Sequence, residues 1–361
     1  MAIPRLRDVA ELAGVHTATA SRALNPATRG LVNEQTAVRV ADAAIKLGYT
    51  VNPIARSLKT NRSNSVGVVI PDLTNPLFPP IMRGIDDVLG PAGYSVLLVN
   101  TDNDKDREAT QIASLRARQV DGLIVATALL HDPRMSRLAS ENIPLVQINR
   151  RMDAPGLPSV TGDDTAGVYL AVRHLASLGH RYIAHLAGPQ LTSTGQIRLR
   201  AYRQALRDLG LPHANNLIVE CEAWTEIQGA QCLGRLFDRK VEFTAVLAGN
   251  DLIALGCYDL LGERGIVCPK QISIVGFNDM PIVDKLRPSL TTVHIPQYQV
   301  GAEAAQLLLD RIRDDTVPAK SVLLPLELIV RNSTAAPPPV PVTKSARATP
   351  RPAARPRVRS G

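Results

Sequence analysis

Long apolar runs are missing from this chain of 361 residues. No stretch approaches the roughly 18 apolar residues that a membrane-spanning helix needs, and the start, MAIPRLRDVAELAG, lacks the apolar core of a secretory leader, so the expected location is the cytoplasm. Aromatic residues are scarce at 3%, with one tryptophan, which predicts an aliphatic, alanine-rich core. Only four cysteines occur, Cys221, Cys232, Cys257 and Cys268, without CxxC or Cys/His spacing, a pattern that favours reduced thiols over disulfides or zinc.

Enzyme signatures are equally thin. Gly162 to Gly167 has the glycine spacing of a phosphate-binding loop, but Val168 stands where the lysine must be. Asp102, Asp104 and Asp106 imitate the start of a calcium loop, yet Arg107 replaces the turn glycine and Ala113 the bidentate glutamate, so helix capping is the better reading. HExxH, GxSxG and a GxGxxG after a strand are all absent. His174, His180 and His185 lack metal-ligand spacing and are expected to be structural or at the surface. No catalytic residue, metal or cofactor is expected.

What is present is an uneven charge. Residues 1–62 hold nine Lys/Arg against four Asp/Glu, and residues 335–361 hold six Lys/Arg and no acid. With a total of +8, the stretch between carries −3, so the positive charge belongs to the two ends. A basic head on a mildly acidic body fits nucleic-acid contact confined to the head.

The periodicity of the head agrees. Leu6, Val9, Ala10 and Ala13 form one helical stripe that stops at Gly14. From Thr17 to Asn25 a second helix turns Ala20, Ala23 and Leu24 inward, with Ala18, Ser21, Arg22 and Asn25 on the opposite face. Helix, glycine turn and helix with a polar outer face make a helix-turn-helix. Asn33 can cap a third helix in which Val38, Ala41 and Ile45 recur before Gly48 ends it. Asn52-Pro53 then suits the start of a helix too short to persist alone, followed by a polar linker, Lys59 to Asn64.

From Ser65 onward short β-branched runs (VGVVI, SVLLV, GLIVA, PLVQI, YIAHL, TAVLA, ISIVG) alternate with helical stretches, which predicts parallel sheets with crossover helices divided into two lobes. Ligands of such sheets bind at the carboxyl ends of strands, which singles out Asp72, Thr101, Asn149, Asn250 and Asn278. No internal sequence repeat is visible, and the Pro/Ala/Arg-rich end is expected to be disordered.

The strings LRDVAELAGVHTATASRALNP, VGVVIPDLTNPLF, DGLIVA, LASLGHRYIAHLAGP, TAVLAGNDLIALG, ISIVGFNDMP and LTTV, in that order over about residues 5–332, closely resemble the lactose/galactose-repressor (LacI/GalR) family. The resemblance implies an all-α helix-turn-helix head joined to a periplasmic-binding-protein-like α/β core of two parallel-sheet lobes. It divides the chain into a head (1–50), a hinge helix and linker (51–64), a first lobe (about 65–162 and 295–322), a second lobe (about 163–291 and 323–332) and a disordered basic tail (333–361). The implied activity is that of a ligand-responsive repressor: a homodimer on a pseudo-palindromic double-stranded operator, releasing or gripping it according to a sugar or sugar acid. A solute-binding receptor of periplasmic type shares the core, but the helix-turn-helix head and the missing leader disfavour it.

Carried over position by position, the resemblance implies that Thr17, Ala18 and Arg22 meet base edges and that Thr19, Ser21 and Asn25 lie near phosphates. Asn52, Ala55 and Leu58 belong to the hinge, with Leu58 as a minor-groove wedge. The effector is implied to meet Asp72, Asn75 and Phe78, then Asn149 and Arg150, the gripping Arg198, the stacking Trp224, and Asn250 and Asn278. His16 departs from the family's usual serine, so Thr17 is expected to take over capping. Asn149 and Asn278 stand for aspartate and Ile295 for glutamine, which, with Arg150 and Arg198 expected to be unopposed, makes a carboxylated sugar a competitor of a neutral one.

Overall fold

The computed structural model describes residues 4–25, 28–49, 62–141, 143–153 and 156–339. Three helices form the head: α1 (Leu6–Leu12), α2 (Thr17–Ala23) and α3 (Glu34–Leu47). Gly14 and Gly48 end α1 and α3 with φ of +64° and +63°, the left-handed conformation that glycine adopts without steric cost. Asn33 caps α3 as expected, its side chain accepting from Gln35 N–H.

Val9, Ala10, Ala13, Ala20, Ala23, Ala37, Val40, Ala43 and Ala44 make the head's core. The expected inner stripe of α3 is corrected here: Val38 and Ile45 are 46% and 79% exposed, and the buried stripe is Ala37, Val40, Ala43 and Ala44. Both stripes have helical spacing. The alanine-rich one is buried because small side chains let three short helices approach closely, whereas isoleucine would hold them apart.

The chain as a whole divides into two units, one of 1–163, 191–194 and 295–325, which includes the head, and the other of 164–190, 195–294 and 326–361. The chain passes between the units at 163/164, 294/295 and 325/326, with a further excursion at 191–194. The first lobe holds β1 (Ser65–Ile70), α4 (Phe78–Leu89), β2 (Ser95–Asn100), α5 (Lys105–Ala117), β3 (Gly122–Val125), α6 (Pro133–Ser140), β4 (Leu145–Ile148) and β5 (Ser159–Gly162), completed by α11 (Gln297–Arg313) and β11 (Ser321–Leu324). Its sheet runs β11-β5-β4-β3-β1-β2, every pair parallel.

Two glycines let α11 lie directly on α4. A Cβ at Gly84 would meet the Tyr298 carbonyl oxygen at 2.1 Å, and one at Gly301 the Ile81 carbonyl oxygen at 2.0 Å. The chain enters this lobe at a fixed point: the Asp121 carboxylate accepts from the N–H groups of Ser63 and Asn64, each at 2.9 Å, and Arg62 donates to the Ile312 carbonyl at 3.0 Å. The expected linker therefore ends in an anchored segment.

The second lobe holds α7 (Asp164–Ser177), β6 (Ile183–Ala187), α8 (Ser193–Asp208), β7 (Ile218–Glu220), α9 (Glu226–Asp238), β8 (Ala245–Ala248), α10 (Asp251–Glu263), β9 (Ser273–Asn278), β10 (Thr291–His294) and β12 (Glu327–Ile329). Its sheet, β12-β10-β9-β8-β6-β7, is parallel except for the antiparallel edge strand β12. Allowing for β12, the order repeats that of the first lobe, so the structure contains a repeat that the residues do not show.

The start of the expected disordered tail is also corrected. Ser333 is fully buried, donating to the Ile274 carbonyl at 2.6 Å and accepting from Thr291 N–H at 2.8 Å. His180 holds the Ala335 carbonyl at 2.8 Å, Ala335 N–H donates to Ser273 Oγ, and His174 meets Thr334 Oγ1 at 2.9 Å. Composition pointed elsewhere because these contacts use main-chain and hydroxyl groups, which carry no hydrophobic pattern. A chain ending at Asn332 is expected to lose on the order of 1–3 kcal/mol from stranded buried partners, read as a fall of several degrees in Tm by scanning calorimetry; an unchanged Tm would show that these contacts are idle.

Asp251 is completely buried, and burial pushes its carboxyl up to about 7 against the hydrogen bonds it accepts from Thr292 Oγ1 and Met280 N–H. A raised folded-state value means that the stability this group contributes is present in acid and lost as pH rises from the ordinary carboxyl range near 4 toward 7. His174, His180 and His185 act oppositely: burial lowers their values, and their contribution grows as pH rises toward 6.5. Unfolding free energies measured from pH 5 to 8 should therefore decline less steeply, or rise more, in Asp251→Asn than in the parent; parallel curves would place the Asp251 titration outside this range.

Candidate functional site

In the head, α2 presents Thr17, Ala18 and Arg22 to solvent, with Thr19, Ser21 and Asn25 half-buried beside them and Ala20 and Ala23 buried behind. The sequence placed these faces correctly. Its capping expectation is corrected: His16 itself caps α2, Nδ1 accepting from Ala18 N–H at 3.2 Å, which leaves Thr17 as the first helical residue, on the exposed face. Asn52, Ala55 and Leu58, and with them the expected hinge helix, lie outside the described residues.

In each lobe the chain leaves the sheet in opposite directions from two neighbouring strands, β1 and β3 in the first and β6 and β8 in the second. That reversal opens a crevice at the strands' carboxyl ends, where ligands of open α/β sheets sit. In the first lobe Asp72 follows β1 and closes a turn by accepting from Thr74 N–H and Oγ1 at 2.8 and 2.7 Å. Asn75 accepts from Leu77 N–H at 3.0 Å, and Phe78 is buried in the first turn of α4. Asn149, at φ +61°, and the buried Arg150 follow β4.

Sequence reasoning missed the charged cluster beside them. Lys105 Nζ reaches Glu108 at 2.7 Å, Asp132 at 2.8 Å and the Thr127 carbonyl at 3.2 Å, while Thr127 Oγ1 donates to Glu108 at 2.7 Å. Burial would raise the Asp132 carboxyl, but Lys105 and the Met135 N–H outweigh it and hold it below the usual range. The spacing 105, 108, 127, 132 has no motif, and only the fold of β3 between two helices gathers it. Asp104 caps α5 through the N–H groups of Asp106 and Arg107, as the capping reading expected.

In the second lobe Arg198 is the centre. Its Nε and Nη2 each lie 2.9 Å from Asp164 Oδ1, and Nη1 donates to the Gly249 carbonyl, just past β8, at 2.7 Å. The guanidinium lies 3.7 Å over the Phe277 ring and 5.6 Å from that of Trp224. Arg198 is 3% exposed and Asp164 6%, so the expectation of an unopposed cation is corrected: a buried carboxylate neutralises it.

Trp224 packs against the turns after β6 and β8: a Cβ at Gly188 would fall 2.0 Å from the indole ring, and one at Gly249 would fall 3.2 Å from it. Its buried Nε1 has no hydrogen-bond partner. Asn250 caps α10 by accepting from Ile253 N–H at 2.8 Å, and Asn278 is buried at the end of β9 with φ +119°. Arg198, Trp224, Gly249 and Asn250 thus meet around the β6/β8 crevice, whereas Ile295 is a buried residue of the first lobe. His185 is structural: burial pushes it down to about 4, Nδ1 donates to the Leu247 carbonyl, and the ring stacks on Tyr202. Among the described residues no group of His, Cys, Asp and Glu could hold a metal, and no helix is long and apolar enough to cross a membrane.

A helix-turn-helix head followed by two doubly wound lobes with polar crevices defines a DNA-binding regulator built on a periplasmic-binding-protein fold. Residues 5–52 match the family described as "Bacterial regulatory proteins, lacI family", and residues 63–332 match "Periplasmic binding proteins and sugar binding domain of LacI family". The chain belongs to the LacI family.

The chain is 34% identical over 332 residues to the HTH-type transcriptional regulator DegA of Bacillus subtilis (strain 168), covering 91% of this chain and 97% of that one. It is likewise 34% identical over 332 residues to the HTH-type transcriptional repressor CytR of Escherichia coli (strain K12), covering 92% and 96%. The lac repressor dimer bound to operator and the anti-inducer ONPF superposes with a TM-score of 0.81 at 28% identity, covering 93% of this chain and all of that one.

Proposed function

We propose that this protein is a homodimeric, cytoplasmic repressor, not an enzyme, that binds a pseudo-palindromic double-stranded operator and responds to a small sugar. The exposed row Thr17, Ala18 and Arg22 on α2 carries the reading, because it presents one base-reading surface on a head whose core is already satisfied. Thr19, Ser21 and Asn25 serve as phosphate neighbours, and Asn52, Ala55 and Leu58 as the hinge. Two heads on a two-fold axis require two half-sites in opposite orientation.

Asp72, Asn75, Asn149 and Arg150 in the first lobe, with Phe78 as packing beneath them, and Arg198, Trp224, Asn250 and Asn278 in the second form the effector contacts. The pairing of Arg198 with Asp164 favours a neutral polyhydroxylated ligand over a sugar acid, since a neutral ion pair offers little net attraction to a carboxylate. The test is selection of bound sequences from random DNA, followed by operator titration against neutral and carboxylated sugars. A palindromic motif whose affinity changes with a neutral sugar is the expected result. Absence of any selected motif would refute the repressor reading, and a response confined to carboxylated sugars would refute the neutral-ligand reading.

A further inference from the structure

Two of the four cysteines meet where β7 ends. Cys232 Sγ in α9 lies 3.7 Å from the Glu220 carbonyl oxygen, part of the peptide that joins Glu220 to Cys221. Arg235, one turn further along α9, places Nη2 2.9 Å from Cys232 Sγ and 3.1 Å from the Glu220 carbonyl oxygen. Both sulfurs bracket Gln228, whose carbonyl oxygen lies 4.0 Å from Cys221 Sγ and whose Oε1 lies 4.0 Å from Cys232 Sγ.

A guanidinium directed at sulfur gains most when the sulfur is a thiolate, because the hydrogen bond is then charge-assisted. The groups around Cys232 act in that sense. The neighbouring Cys221 thiol, then Arg235, lower the Cys232 thiol against the opposing effect of burial, while Cys232 and burial raise Cys221. Burial pushes Cys257 and Cys268 up. Both thiols are buried, and a cavity of about 410 Å³ is lined by Glu222, Gln228, Gln231, Gly234, Arg235 and Asp238, of which Gln228 and Arg235 come within 2.9–4.0 Å of the sulfurs.

We propose that Cys232 is a peroxide-sensitive thiol and Cys221 its resolving partner, the two forming a reversible disulfide that ties the end of β7 to α9. Cys232 thiolate attacks one oxygen of a hydroperoxide; the O–O bond breaks, a sulfenic acid forms, and the other oxygen leaves as hydroxide or alkoxide and takes a proton from solvent. Cys221 then attacks Cys232 sulfur, the S–O bond breaks, and the departing oxygen leaves as water carrying the Cys221 proton. Sulfur has lost two electrons and the peroxide has gained them; a cytosolic dithiol returns them by exchange.

The bond would enclose residues 222–231, and Trp224 is among them. Its ring packs on Gly188 and Gly249, so fixing this loop changes the surroundings of the single tryptophan of the chain. The consequence for effector binding rests on the reading of Trp224 as an effector contact; the disulfide does not.

The full-length protein is titrated with hydrogen peroxide, remaining thiols are alkylated, and peptides are mapped by mass. The expected product is an intrachain Cys221–Cys232 link that dithiothreitol reverses, with Cys232 reacting on the order of tenfold or more faster than Cys257 or Cys268. Cys221→Ser should stop at a sulfenic acid on Cys232 that a dimedone probe traps, and Arg235→Met should slow the first step. Equal reactivity of all four thiols, or pairing with any other cysteine, overturns the proposal, and this is decided on the unmutated chain. Tryptophan emission and effector affinity are read on the same oxidised sample. A disulfide that forms and alters emission but leaves effector affinity unchanged upholds the thiol pair and removes Trp224 from the effector site.

Discussion

Replacing Arg198 by alanine is expected to cost about 3–5 kcal/mol of folding stability, because it strands a charge in a lobe interior. Asp164 would be left 6% exposed without its guanidinium, and the Gly249 carbonyl without its donor. The effector response should vanish as well, since this guanidinium lies 3.7 Å over the Phe277 ring and 5.6 Å from that of Trp224 and binds the Gly249 carbonyl just past β8. Loss of response alone would be ambiguous in an unstable variant. The double change Arg198→Met with Asp164→Leu removes both charges and should recover most of the stability without restoring the response. Denaturant unfolding and effector-dependent operator release measured on all three proteins check this. A single variant as stable as the parent would deny the buried ion pair its structural weight, and a double variant that still responds would take Arg198 out of the ligand site.

Arg22→Ala is expected to erase discrimination on the order of 1–3 kcal/mol per half-site, the worth of a bidentate contact to guanine O6 and N7. Arg22 is exposed near the end of α2, and its removal disturbs none of the head's core, which rests on Ala20 and Ala23 from the same helix. Thermal unfolding of the head should be unaltered. Binding to random DNA should fall slightly, as for any lost cation, while binding to the operator falls much further. Parallel losses on both DNAs would assign Arg22 to a phosphate and shift the base-reading register toward Thr17 and Ala18.

Much of this was legible from local pattern. The stripes of α1 and α2, the glycine stops at Gly14 and Gly48 and the Asn33 cap all follow from short-range rules about periodicity and caps. What failed depended on partners distant in sequence. The choice between two equally spaced stripes on α3 was decided by how closely α1 and α2 approach. The neutralisation of Arg198 depends on Asp164, thirty-four residues earlier and on another helix, and the anchoring of Ser333 on hydroxyl and main-chain groups of β9 and β10. The cluster of Lys105, Glu108, Thr127 and Asp132 and the Cys221–Cys232–Arg235 group were invisible for the same reason.

The closure of the first lobe by α11 and β11 bears on how the protein is made. Helix α4 is translated early, yet the surface at Gly84 that fits α11 waits until residues beyond 300 have left the ribosome, and β5 stays a bare sheet edge until β11 follows. For most of its synthesis the nascent chain therefore carries an unfinished lobe, with an apolar helix face and an unpaired strand open to neighbouring polysomes. The second lobe waits as well, because β10 stays an open edge until β12 pairs with it, and β9 and β10 lack the Ser333 contacts until the chain beyond 332 has emerged. Both lobes are thus completed by segments from the last part of the chain, and a stalled or prematurely terminated message yields a product that chaperones and proteases must recognise.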